Sequence, residues 1–147
     1  MKLRALAVLP VLLAPLPGRG GSLEHFSVSA AFRAPAKPAG LGAVAVTFTP
    51  QDPDVHINEE PAPRLKLDPA QTLLADKQAP PAHKIPVFDP ETAKYLDTTF
   101  PVSFPVAWAD KPPKTAQTVK ASVVYFYCSK REGWCRKGTS EVLFSVP

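Results

Sequence analysis

The chain holds only two cysteines, three histidines and one methionine in 147 residues, and each scarcity removes a class of chemistry. Two thiolates cannot close a zinc site by themselves, and His25, His56 and His83 are scattered without metal-ligand spacing. Neither a metal nor a bound cofactor is therefore expected. No glycine-rich phosphate loop and no serine nucleophile elbow is present. Glu59 and Glu60 form an adjacent acidic pair, but carboxylates in a proline turn are ordinarily solvated. Sustained helical periodicity, internal repeats and heptads are missing too, which argues against bundles, solenoids and coiled coils.

Long apolar runs are also lacking. The stretch from Ala5 to Leu16 falls well short of the ~18 residues that span a bilayer, and Pro10 and Pro15 interrupt it. Behind Lys2 and Arg4 it reads as a secretory signal peptide over residues 1–21, followed by a single domain over residues 22–147. The mature product is expected in the periplasm or outside the cell. Loss of Lys2, Arg4 and Arg19 removes three of the 17 basic residues and leaves the domain nearly neutral against 13 acidic ones. The basic character belongs mostly to the leader and does not point to nucleic acid.

What the chain has in quantity is proline. Nineteen prolines are spread along it, and each costs about 3 kcal/mol inside a helix, so an all-β fold is expected. His25 to Phe32 and Leu41 to Thr49 alternate apolar and polar residues and read as strands, separated by a proline and glycine connector. Val55 to Asn58 and Arg64 to Leu67 read as short strands around an acidic proline turn. Asp68 to Leu74 fits either a helical turn or a strand, and the strand is the preferred reading. Ala75 to Pro86 reads as a loop. Thr99 to Trp108 places Phe100, Val102, Phe104 and Val106 on one face and Pro101 and Pro105 on the other, the pattern of an edge strand or a bulge. Such a succession of short strands suggests a two-sheet sandwich.

The last hairpin carries both cysteines. Val123, Tyr125 and Tyr127 fall on one face of its first strand, and Ser122, Val124, Phe126 and Cys128 on the other. The turn is read as the segment carrying Gly133, Cys135 and Gly138. A disulfide needs Cα atoms roughly 4.4 to 6.8 Å apart, which opposed positions at a hairpin root satisfy. Two readings of such a pair stand side by side. As a staple it closes a short loop and contributes only about 2 to 3 kcal/mol. As a redox pair it gains from Lys130, Arg131, Arg136 and Lys137, whose field favours thiolate, with Glu132 the only opposing charge in the segment. Basic residues in loops also serve solubility alone.

Val124-Tyr125-Phe126-Tyr127-Cys128, Gly133-Trp134-Cys135 and the closing strand resemble the cysteine hairpin of the periplasmic N-terminal domain of the thiol:disulfide interchange protein DsbD family. Val55-His56-Ile57-Asn58 and the stretch from Phe100 to Val106 resemble other blocks of that family. The resemblance implies an immunoglobulin-like sandwich in which Cys128 and Cys135 shuttle between dithiol and disulfide. It makes Cys135 the attacking thiol and Cys128 the resolving one; the loop residues expected from their charge and position to tune the pair are Lys130, Arg131, Trp134 and Arg136. It also implies an aromatic cap over the disulfide, for which Phe88 is the first candidate and Tyr95 the second; against this, filling the core is the commoner fate of a lone aromatic between prolines such as Phe88.

The expected activity is that of a thiol:disulfide oxidoreductase of the protein-disulfide reductase type. Electrons would come from a membrane carrier of the DsbD or CcdA type and pass to thioredoxin-like or disulfide-isomerase-like proteins. This sequence departs from the family in two ways: the cysteines are one residue further apart than in its best-known members, and these 147 residues include neither the membrane carrier nor the thioredoxin-like domain, so electrons are expected to come from separate proteins. The competing expectation is a secreted immunoglobulin-like binding or scaffold domain with a purely structural disulfide.

Overall fold

The computed structural model describes residues 25–37, 40–75, 78–79 and 95–147. The proposed leader, His83 and Phe88 lie outside the described residues. The strands are β1 (Phe26–Arg33), β2 (Gly42–Pro50), β3 (Val55–Ile57), β4 (Arg64–Leu67), β5 (Gln78–Ala79), β6 (Val102–Val106), β7 (Gln117–Ser129) and β8 (Cys135–Val146). The fold is all-β, and every strand pairing is antiparallel.

One sheet has the order β1-β2-β6. The second is built on β7, whose thirteen residues make it the longest strand described. Along one edge β7 pairs with β8 from Gln117↔Val146 to Cys128↔Cys135. Its other edge is shared end to end, with β4 opposite Ala121 to Val124 and β3 opposite Tyr127 to Ser129. β5 lies beyond β4. The far end of β7, where Cys128 sits, is therefore held between β8 and β3.

Alternation explains which faces meet. Val119, Ala121, Val123 and Tyr125 of β7 are buried, and so are Val142, Phe144 and Val146 of β8. They join Val44, Val46, Phe48, Val102 and Phe104 of the other sheet in one hydrophobic cluster. Tyr125 packs edge-on against Phe26 and Phe48, with ring centroids 6.1 and 5.2 Å away. Each fully buried large aliphatic or phenyl side chain contributes about 1.5–3 kcal/mol, so this shared face dominates the stability.

Several sequence expectations are corrected. Asp68 to Leu74 is a turn rather than a strand: Asp68 Oδ1 accepts the Ala70 amide at 2.8 Å, and the Gln71 amide returns to the Asp68 carbonyl at 3.1 Å. Aspartate followed by proline satisfies its own backbone locally, and that outweighs the apolar Leu73 and Leu74. Leu74 alone pairs, as an isolated bridge to Trp108. The stretch read as a loop from Ala75 contains β5. Phe100 precedes β6 and is 55 % exposed, because a turn at Asp97 takes its amide hydrogen bond. Gly138 lies within β8 instead of the turn; a Cβ there would stand 2.6 Å from the Tyr125 ring, so the strand needs glycine to let that ring pass. β6 does lie at the edge of its sheet, as its proline requires.

Candidate functional site

The site is built on the end of β7. Cys128 and Cys135 face each other in register and form a disulfide, with Cα atoms 4.1 Å apart, slightly closer than the range expected from sequence. The neighbouring Ser129 amide bonds the Trp134 carbonyl at 2.9 Å, which makes the cysteines the non-hydrogen-bonded pair next along, where side chains approach most closely. The two sulfurs differ in environment. Cys128 is 6 % exposed, whereas Cys135, at the first position of β8, is exposed.

Cover for Cys128 comes from β3. His56 stands opposite Cys128, and the Asn58 amide donates to the Phe126 carbonyl at 2.8 Å. His56 and Asn58 are two apart on a strand and so share the face of Cys128. Asn58 Oδ1 lies 3.2 Å from Cys128 Sγ. In the disulfide this sulfur bears no hydrogen, so the approach is a contact and not a hydrogen bond. Burial, then the charge of Lys130, hold the His56 imidazole below its ordinary pKa, so it is neutral at neutral pH. Tyr95 bridges to Asn58, and its ring lies 5.2 Å from that of His56. Lys130 Nζ sits 4.9 Å over the same ring. The second cap candidate thus stands beside the residues that cover Cys128.

The loop between the strands, residues 130–134, is organised by Asp54 from the turn before β3. Its carboxylate accepts from the Ser129 hydroxyl and, at 3.2 Å, from the Arg131 amide. The Ser129 hydroxyl oxygen in turn accepts the Glu132 amide at 3.0 Å. The Ser129 hydrogen bond, with help from the Arg131 amide and charge, holds the Asp54 carboxyl below the usual carboxylate range. Gly133 closes the loop with a φ of 70°, where a side chain would be strained.

The basic residues named from sequence do not all bear on the sulfurs. Arg131 Nε lies 3.8 Å from Asp54, so Asp54 is a second opposing charge that the local sequence did not reveal. The Arg136 guanidinium stacks 4.5 Å over Trp134. Trp134 donates through Nε1 to Glu132 and packs against His25 and Tyr127. Lys137 is exposed and opposite Phe126, on the face that Cys128 occupies. Among the described residues no three of histidine, cysteine, aspartate and glutamate gather as metal ligands, and no helix is long and apolar enough to cross a membrane.

Asp54, Ser129, His56 and Asn58 were not singled out as site residues by sequence. For His56 and Asn58 the available signals were the family resemblance of Val55-His56-Ile57-Asn58 and its alternation in a strand too short to rank by itself; for Asp54 and Ser129 there was none. The chain matches no protein-family model, no curated protein and no solved structure.

Proposed function

We propose that the chain is a thiol-disulfide exchange module of the DsbD N-terminal type, an exported immunoglobulin-like sandwich that reduces the disulfides of other extracytoplasmic proteins. The observation that carries the reading is the unequal exposure of the two sulfurs, 6 % for Cys128 against an exposed Cys135. Exchange requires one sulfur that a partner can reach and one that waits. In the reduced protein the Cys135 thiolate attacks a partner disulfide, forming a mixed disulfide and releasing one partner thiolate, which takes up a proton. Cys128 then loses its proton and attacks Cys135 Sγ, releasing the second partner thiol. The partner gains two electrons and two protons, and this chain ends as the disulfide. A membrane redox protein of the DsbD or CcdA type then returns the pair to the dithiol.

The second reading, an inert staple in a binding or scaffold domain, is favoured by the engagement of Arg131 with Asp54 and of Arg136 with Trp134, which weakens the field at the sulfurs. The reduction potential separates the two readings. A shuttle sits nearer about −200 mV and a structural bridge below about −300 mV. Trapping assigns the roles: Cys128→Ser should accumulate mixed disulfides through Cys135, and Cys135→Ser few. No adducts from either variant would overturn the reading.

A further inference from the structure

We infer that Asn58 is a positioning residue for the redox step, its side-chain oxygen holding the proton of Cys128 in the reduced protein. This rests on the exchange reading above and deepens it. The carrying observation is the 3.2 Å separation of Asn58 Oδ1 and Cys128 Sγ while the sulfur is in a disulfide. Reduction breaks the Sγ–Sγ bond and adds two electrons and two protons. One proton arrives on Cys128, and the existing contact becomes an S–H···O hydrogen bond without movement of β3. The amide oxygen therefore gains a donor only in the dithiol, and it favours thiol over thiolate at this sulfur.

Two consequences follow for the division of labour. Cys128 is kept protonated and unreactive during the first attack, which leaves Cys135 as the nucleophile. The dithiol as a whole is also stabilised against the disulfide. β3 fixes the geometry, because the Asn58 amide is tied to the Phe126 carbonyl at 2.8 Å and Ile57 is fully buried. The titratable and charged groups nearest this sulfur on the elements packed around it include His56, Asp54, Tyr95, Lys130 and Lys137, with Asp52, Tyr127, Arg131, Glu132 and Arg136 further along the same elements. Asn58→Ala leaves these groups in the chain, and the opposite shift expected of Asn58→Asp ties the change to the side chain at position 58.

The test has two parts. In a Cys135→Ser background, where Cys128 is the sole thiol, its ionisation is followed by thiolate absorbance. Asn58→Ala should raise the acidity constant of Cys128 about threefold to tenfold, the worth of one modest hydrogen bond, and Asn58→Asp should lower it. In the two-cysteine protein, equilibration with reduced and oxidised glutathione should show Asn58→Ala displaced toward the disulfide by a similar factor. An unchanged or decreased acidity constant in Asn58→Ala, or an unchanged glutathione equilibrium, overturns the inference. Neither measurement needs a partner protein, so absence of mixed disulfides with partners would remove the exchange reading alone and leave the Asn58 comparison standing.

Discussion

The Asp54 carboxylate accepts the hydroxyl hydrogen bond of Ser129, 75 residues further along the chain and next to Cys128. One surface aspartate before β3 thereby sets the shape of the loop that presents Cys135. The buried Ser129 is the hinge of this arrangement, since its hydroxyl donates to Asp54 and accepts from the Glu132 amide.

Replacing Asp54 by alanine is expected to loosen residues 130–134 without unfolding the sheets. Amide exchange at Arg131 and Glu132 should accelerate by about tenfold, while Val123 and Phe144 remain protected. The same network responds to acid. Because the folded carboxyl is depressed below 3.8, its contribution is present above that pH and is lost as pH falls through the folded value. Exchange rates measured from neutral pH down to about 2, corrected for intrinsic chemistry, check both statements. Unchanged loop protection in Asp54→Ala would remove Asp54 from this role.

His56 supplies a second pH dependence. Its folded pKa lies below 6.5, chiefly through burial, so between the two values the unfolded chain binds the proton and the folded chain does not. Stability is fully present above 6.5 and declines as pH falls below it. Urea midpoints across mildly acidic pH should fall for the native chain, and His56→Gln should flatten that slope. Equal slopes in the two proteins would contradict the assignment.

Unequal exposure of the sulfurs predicts unequal alkylation. After reduction, limiting iodoacetamide should label Cys135 about tenfold or more faster than Cys128, read by peptide mass spectrometry. Comparable rates would mean that the cover over Cys128 opens as fast as the reagent arrives.

Gly138→Ala tests the packing of β8 against β7. The added methyl would meet the Tyr125 ring at 2.6 Å, and overpacking of this kind costs about 1–3 kcal/mol. Chemical denaturation should register that loss, and a smaller side chain at position 125 should recover part of it. Full stability in Gly138→Ala would show that the ring moves aside freely.

The sequence by itself determined the all-β class, through prolines dispersed along the chain, and a final hairpin that brings Cys128 and Cys135 within bridging reach; it left Cys135 in the turn, whereas the structure starts β8 there and pairs the two cysteines directly. Both are local: period-two alternation and turn chemistry act over a few residues. It misjudged Asp68 to Leu74 and Phe100 where turn hydrogen bonds at Asp68 and Asp97 override apolar patterning. That Cys128 ends a strand and Cys135 sits toward the loop already pointed to unequal exposure, but only the tertiary structure decided what covers Cys128. Asn58 reaches Cys128 across 70 residues and Asp54 reaches Ser129 across 75, because β3 pairs with the end of β7 that β4 leaves open. Alternation says which residues share a face of one strand. It carries no information about which distant strand comes to lie alongside, and at this site that neighbour places an amide oxygen against one sulfur and leaves the other exposed.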